Sequence, residues 1–485
     1  MSVVKFDHKG LFAFFCAFFV LVVTGCSDDD DDTPPDTSAP VISNLSHADN
    51  EKIIGNRTVS FSADVTDDIG ATVTITHNGN PVAATASGDT YTASITLEDR
   101  SNNTIVVSAR DADNTTTETV TLNYPFLSFT NGQAASVVIG QPDFDSFDAN
   151  QGASVGANTL DGPYDVKVIN DRLYIADRNN HRVLGFSSIP TADNTSADFV
   201  IGQDSFTTNS SGVANNQLTS PRAIDASDTQ LFVGHGNPGR INVWSDIPTS
   251  NTSASHVIGE TGFVTGTTFD CNETSGASFT TIAYASGKII AADSLNSRIL
   301  IWNAVPATSG VSPDLYLGQA NSTSCSANAG GAMPSASSFN QASRVWTDGT
   351  RLVVADGSNN RVLIWNTFPT SNTTPADIVL GQADFVTGDV ASASNATEFT
   401  QLGGVYSNGN QLFVIDLERI MIWDSWPTDN EQAADRVLGN PDFNGSIGEL
   451  GNNATFSSPN LLSVYDNKLF IGDTDNHRVL IFDAP

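Results

Sequence analysis

Between residues 125 and 485 the chain repeats one phrase, and that repeat limits what it can fold into. Arg182, Arg240, Arg298, Arg361, Arg419 and Arg478 are each followed four residues later by an aromatic: Phe186, Trp244, Trp302, Trp365, Trp423 and Phe482. Four residues beyond the first five aromatics come Pro190, Pro248, Pro306, Pro369 and Pro427. A further short apolar run then ends on Gly202, Gly259, Gly318, Gly381 or Gly439, spaced 57, 59, 63 and 58 residues apart. The landmarks hold while the loops between them vary. A period near sixty residues with several strands per unit describes an array of similar sheets rather than one core.

Counting strands predicts how the array ends. Each arginine opens the second strand of a hairpin, as in Asp356-Gly-Ser-Asn-Asn-Arg361-Val-Leu-Ile-Trp365. There are six such hairpins but only five outer strands after them. The missing one is expected upstream, where Ser136-Val-Val-Ile-Gly140-Gln141 has the outer-strand pattern and no hairpin before it. The reading is all-β: a six-bladed β-propeller of four-stranded blades, the last blade closed by an N-terminal strand. Closure of this kind limits exposed sheet edges.

Leu173-Tyr-Ile-Ala-Asp-Arg-Asn-Asn-His-Arg-Val-Leu184 and Leu469-Phe-Ile-Gly-Asp-Thr-Asp-Asn-His-Arg-Val-Leu480 resemble NHL repeats, and the resemblance extends over all six units. Two units depart from it. In the second, His235 replaces the Asp and Pro238-Gly239 remodels the turn; in the fifth, Arg419 follows Asp416 by only three residues. The Asp at one strand end and the Arg at the start of the next face each other, where they can form a charge-assisted hydrogen bond. Asn180, Asn296, Asn359 and Asn476 are expected to take a left-handed backbone and cap the turn. The Trp and Phe positions should fill the space between blades. Recurrence in nearly every blade marks this set as structural rather than catalytic.

Residues 1–25 have the parts of a lipoprotein signal peptide. Lys5 and Lys9 precede an apolar run from Leu11 to Val23, too short for a comfortable span. Val23-Thr24-Gly25-Cys26 resembles a bacterial lipobox, which implies lipidation of Cys26 and a membrane tether; the alternative is an ordinary secretory signal. Residues 26–37, with five consecutive Asp and Pro34-Pro35, read as an acidic linker. Residues 38–124 alternate with period two, and six or seven short strands imply an immunoglobulin-like β-sandwich. Asp111, Asp113 and Asn114 could hold a structural calcium through oxygen ligands, although a loop with Asx turns is the better explanation of them.

A net charge of −33, from 21 Lys and Arg against 54 Asp and Glu, opposes nucleic-acid binding. No nucleophile elbow, phosphate-cradling loop or metal-protease motif occurs. In a propeller the hairpin turns and the linkers between blades share a face. Cys271 and Cys325 fall in successive linkers and, in an oxidising envelope compartment, are expected to form a disulfide; two free thiols are the alternative. His181, His235 and His477 lie on or beside the turns and could supply a zinc triad of the kind used by NHL-like lyases. Tyr164, Arg222 and Arg344 open inner strands near the channel mouth and, with His235, are the ligand-binding candidates. The expected protein is an outer-membrane lipoprotein, anchored only by lipid, whose propeller binds a protein, peptide or glycan without catalysis. The alternatives are a metal-dependent propeller lyase or hydrolase, and a structural surface protein.

Overall fold

A computed structural model describes residues 38–484 apart from 54–56, 69, 99, 237–238, 265–270, 272–277 and 445–451. The lipobox with Cys26, the acidic run and Pro238 lie outside the described residues. Within them the chain is all-β, and no helix is long and apolar enough to cross a membrane.

The N-terminal unit is two facing sheets of four and five strands, nine strands where the alternation predicted six or seven. The extra ones are two- to four-residue edge strands such as Glu51–Lys52 and Ala84–Ser87, too short to show a period. Their shared core holds Phe61, Ala63, Ile95, Leu97, Val107 and Leu122, the inward positions of the alternating runs. The Asp111 loop is an Asx turn. The Asp111 carboxylate accepts the backbone N–H groups of Asp113 at 2.7 Å and of Asn114, which holds it below its usual pKa.

The repeat region forms six four-stranded antiparallel sheets. Sheet 1 runs Pro163–Ile169, Arg172–Asp177, Arg182–Phe186 and Phe199–Ile201. Sheets 2 to 5 begin at Pro221, Phe279, Ala342 and Leu402 and repeat that order. Sheet 6 takes Pro459–Tyr465, Lys468–Asp473 and Arg478–Asp483 from the C-terminal end and Val137–Ile139 from upstream. Val137 pairs with Ile481 and Ile139 with Val479, so both ends of the region share one sheet. The first strands pack in succession from sheet 1 to sheet 6, and sheet 6 packs back on sheet 1.

Cores lie between neighbouring sheets. One cluster joins Ile290, Ile299 and Leu317 of sheet 3 to Val354, Leu363 and Trp365 of sheet 4. Trp302, Trp365 and Trp423 are at most 1% exposed, and their indole N–H groups donate to Val311, Thr374 and Gln432 carbonyls at 3.0–3.1 Å. An aromatic with one polar atom fits here because its ring fills the gap while the N–H ties down the following loop.

The hairpin clasp is built as its residue types require. Asp177–Arg182, Asp293–Arg298 and Asp356–Arg361 are 2.8 Å apart, and Asp416–Arg419 and Asp473–Arg478 are 2.7 Å apart, all essentially buried. The other guanidinium nitrogens hold linker carbonyls; Arg361, for example, donates to Phe385, Ser335 and Ser338. Asn180, Asn296, Asn359 and Asn476 cap the clasp by donating to the Asp carboxylate at 2.7–2.9 Å. The left-handed residue is the next one along: His181, Ser297, Asn360 and His477 have φ near 50°. The asparagine is needed for its side chain, not its backbone.

Candidate functional site

Each first strand begins with a residue paired opposite the clasp position: Pro163, Pro221, Phe279, Ala342, Leu402 and Pro459. Immediately after that residue the register slips in every sheet. A bulge of this kind re-aims side chains that would otherwise alternate across the sheet. Tyr164, Arg222, Arg344 and Asn460 all sit at these slips.

The sheets bring them together. Arg344 of sheet 4 donates through Nη2 to the Tyr164 hydroxyl at 2.9 Å on sheet 1 and to Asn460 Oδ1 at 2.8 Å on sheet 6. Arg222 lies with Cζ 5.6 Å from the Tyr164 ring centroid, and Arg344 at 5.2 Å. A third guanidinium joins them: Arg178, on the sheet 1 hairpin turn, is 5.5 Å from the same ring. Burial pushes the Tyr164 phenol up, but Arg344, Arg222 and Arg178 outweigh it and hold the group below its ordinary pKa.

Sheet 2 makes room for this cluster. A Cβ on Gly236 would stand 2.2 Å from Arg222 Nε, so the guanidinium lies against a bare backbone. In sheet 1 the equivalent position, one after the clasp residue, is Arg178 itself. That arginine was legible as the only cation following a clasp residue, and Asn460 as the residue after Pro459, matching Tyr164 after Pro163 and Arg222 after Pro221.

One or two residues further along lies a cavity of ≈ 400 Å³, lined by the first strands of all six sheets and by Lys52 of the N-terminal unit. Part of its lining is charged and interlocked. Lys167 Nζ is 3.0 Å from Asp225 Oδ1, and Asp225 Oδ2 accepts the Tyr284 N–H at 2.8 Å. Asp165 accepts the Val166 and Ile224 N–H groups at 2.8 and 2.6 Å. Burial pushes Asp165 up to about 7 and outweighs those bonds and the nearby Lys167. Burial would lower Lys167, but Asp225, Tyr406 and Asp165 overcome it and raise its pKa. Burial also lowers Lys52, against the attraction of Asp348. Asp165 and Asp225 each bond the backbone of the next sheet, so they serve as inter-sheet ties.

The three histidines do not converge. His181 Nδ1 accepts the Ser220 N–H and His477 Nδ1 the Gly162 N–H, both at 3.0 Å. Rather than pointing off their turns, they pin the next linker. His235 stands in the place of a clasp carboxylate but bonds differently: its Nδ1 is 2.9 Å from the Thr219 carbonyl, to which an Nδ1–H donates, and 3.3 Å from the Thr219 N–H, the amide that other clasp aspartates accept. It is fully buried, beside Arg240, and held at about 3, chiefly by burial. Its bonds go to Thr219 and not to the Tyr164 cluster. Among the described residues no three of His, Cys, Asp and Glu are grouped to hold a metal ion. The acid missing at 235 reappears at Glu260, which follows Gly259 where sheets 1, 3, 4 and 6 carry Gln203, Gln319, Gln382 and Gln141. Burial lowers Arg240 to about 10, and Glu260 opposes that shift. Cys271 and Cys325 are disulfide-bonded, with Cα atoms 6.1 Å apart, and join the linkers on either side of sheet 3.

No family model matches the chain, and no curated protein does. Among solved structures it is similar to an auxiliary nutrient binding protein from Bacteroides thetaiotaomicron, at 12% identity and a TM-score of 0.40, covering 93% of this chain and 99% of that one. A second, from Bacteroides ovatus, gives 14% identity and 0.38 over 92% and 98%. A third, described provisionally as a phosphatase from Bacteroides thetaiotaomicron, gives 10% and 0.39 over 92% and 97%. Likeness at these scores assigns neither fold nor function to this chain.

Proposed function

We propose that residues 125–485 are a six-bladed propeller of NHL type, carried by an immunoglobulin-like domain (38–124) and an acidic linker (26–37) on a lipidated Cys26. The protein is then a bacterial envelope lipoprotein, tethered to the outer membrane by lipid alone. Its propeller is a non-enzymatic scaffold that binds a protein, peptide or glycan at the mouth of the central cavity. The closed succession of first strands and the shared sixth sheet support the propeller.

One observation supports the binding reading: Tyr164, Arg222 and Arg344, from three different sheets, meet in one cluster at the register slips. Polar groups converging from a rigid scaffold onto one opening are how binding sites are commonly built. The test is to probe glycan, peptide and protein arrays with the full chain and with its Arg222→Ala/Arg344→Ala variant. Ligands captured by the first and lost by the second are expected. Capture undiminished in the variant would remove this mouth from the reading.

A further inference from the structure

Three guanidinium groups surround Tyr164, and no carboxylate answers them. The clasp arginines of sheets 1, 3, 4, 5 and 6, together with Arg351 and Arg436, each sit on an aspartate. Among the described residues Arg178, Arg222 and Arg344 form no ion pair. This occurs in a chain with 54 acidic residues, where counter-charges are plentiful. Gathering like charges in a partly buried site is unfavourable unless an opposite charge joins them.

Two donors are left open. Nε of Arg178 and Nε of Arg222 are buried without a hydrogen-bond partner. Arg222 Nη1 reaches Ser278 Oγ at 3.3 Å, and Arg344 is held by Asn460 and by the Ser343 carbonyl at 2.8 Å. Arg344 is therefore fixed in place, while the other two keep free donors beside the phenol. Buried donors without partners are rare in folded proteins and call for a ligand or water. Even an ionised Tyr164 would balance only one of the three charges.

We infer that Arg178, Arg222, Arg344 and Tyr164 form an anion site that takes a single carboxylate on an otherwise uncharged ligand. This rests on the binding reading above and names its chemistry. The fork of a guanidinium matches the two oxygens of a carboxylate, and the phenol hydroxyl supplies a further polar contact. A net charge of −33 works against polyanions, so a lone acidic group on a neutral body fits better than a polyphosphate or a nucleic acid. In this arrangement the bulged first strands serve as the site's frame, and Gly236 is the gap that admits Arg222.

The experiment is calorimetric titration of the full chain, at constant ionic strength, with galacturonate, galactose and inorganic phosphate. Galacturonate is expected to bind and galactose not. Arg178→Gln and Arg222→Gln should each weaken galacturonate by roughly 10- to 100-fold, the usual loss for a hydrogen bond to a charged group. A bound carboxylate should also raise the Tyr164 titration, read by ultraviolet difference spectroscopy against Tyr164→Phe, an effect that a merely structural cluster lacks. Equal binding of galactose and galacturonate, no binding of either, or unchanged affinity in both Gln variants overturns the inference. Phosphate bound more tightly than galacturonate, with the same arginine dependence, overturns the choice of carboxylate. The comparison of galacturonate with galactose needs no variant, so a misfolded Arg178→Gln does not remove the test. Array ligands that survive Arg178→Gln but fail in Arg222→Ala/Arg344→Ala would sink the anion site and keep the scaffold. Arginine-dependent galacturonate binding with empty arrays would do the reverse.

Discussion

Arg344 donates to the hydroxyl of Tyr164 at 2.9 Å, linking the fourth sheet to the first. The same guanidinium holds Asn460 of the sixth, so one side chain ties three sheets.

That tie has a measurable strength. Tyr164→Phe keeps the ring and removes the hydroxyl, while Arg344 retains Asn460. A loss of about 2 kcal/mol is expected from denaturant unfolding, the net worth of one hydrogen bond to a charged group. Arg344→Met also removes the bond to Asn460 Oδ1 but relieves one of three crowded like charges, so its cost should fall short of twice that of Tyr164→Phe.

The second sheet offers a test of how the clasp is balanced. Glu260→Gln would restore the glutamine of sheets 1, 3, 4 and 6 but leave Arg240 with no carboxylate beside it. It should destabilise by roughly 2–4 kcal/mol, since an uncompensated buried charge is costly. Adding His235→Asp to Glu260→Gln rebuilds the ordinary clasp and should recover most of the loss. A double-mutant cycle reads the coupling directly; additive effects would show that the two positions do not share Arg240.

Asp165 sets a pH dependence. Its folded pKa of about 7 lies above the ordinary 3.8, so the folded state binds this proton more tightly than the unfolded chain. Stability from this group is fully present below the unfolded value and is lost as pH rises through about 7. Between pH 4 and 7 wild type should lose roughly 2–4 kcal/mol relative to Asp165→Asn, at 1.4 kcal/mol per unit. Parallel stability curves for the two proteins over that range would show that Asp165 is ionised throughout.

The Cys271–Cys325 bridge closes a sequence separation of 54 residues between two linkers. Reduction, or Cys271→Ser/Cys325→Ser, should lower stability by roughly 2–4 kcal/mol, chiefly by freeing the unfolded chain. Thermal unfolding with and without reductant measures it, and the double Ser variant should be indifferent to reductant.

Much of the strand plan was legible because it depends on local chemistry. Asp356 and Arg361 sit at the two ends of one turn, so their pairing needs nothing beyond the hairpin. The count of hairpins against outer strands required a strand from upstream, and Val137–Ile139 pairs with the last strand. Where local reasoning erred, the cause was also local. The left-handed backbone sits at His181 and Asn360 rather than one residue earlier, because the asparagine before each is drawn inward to the Asp carboxylate. By sequence the histidines at 181 and 477 lie on or beside their turns as candidate zinc ligands; backbone amides of the next linker occupy their Nδ1 atoms.

The cluster around Tyr164 is another matter. Tyr164, Arg222 and Arg344 could be placed at strand starts by register alone, but Arg178 and Asn460 were not singled out, nor was the buried set of Asp165, Lys167 and Asp225. By itself the sequence determined the repeat, the clasp, the strand order within each sheet and the shared sixth sheet, since all follow from periodicity and short-range pairing. Only the tertiary structure decided which charges meet. Residues far apart along the chain become neighbours when six first strands pack in a closed succession, and no period records that three arginines then share one phenol with no acid among them.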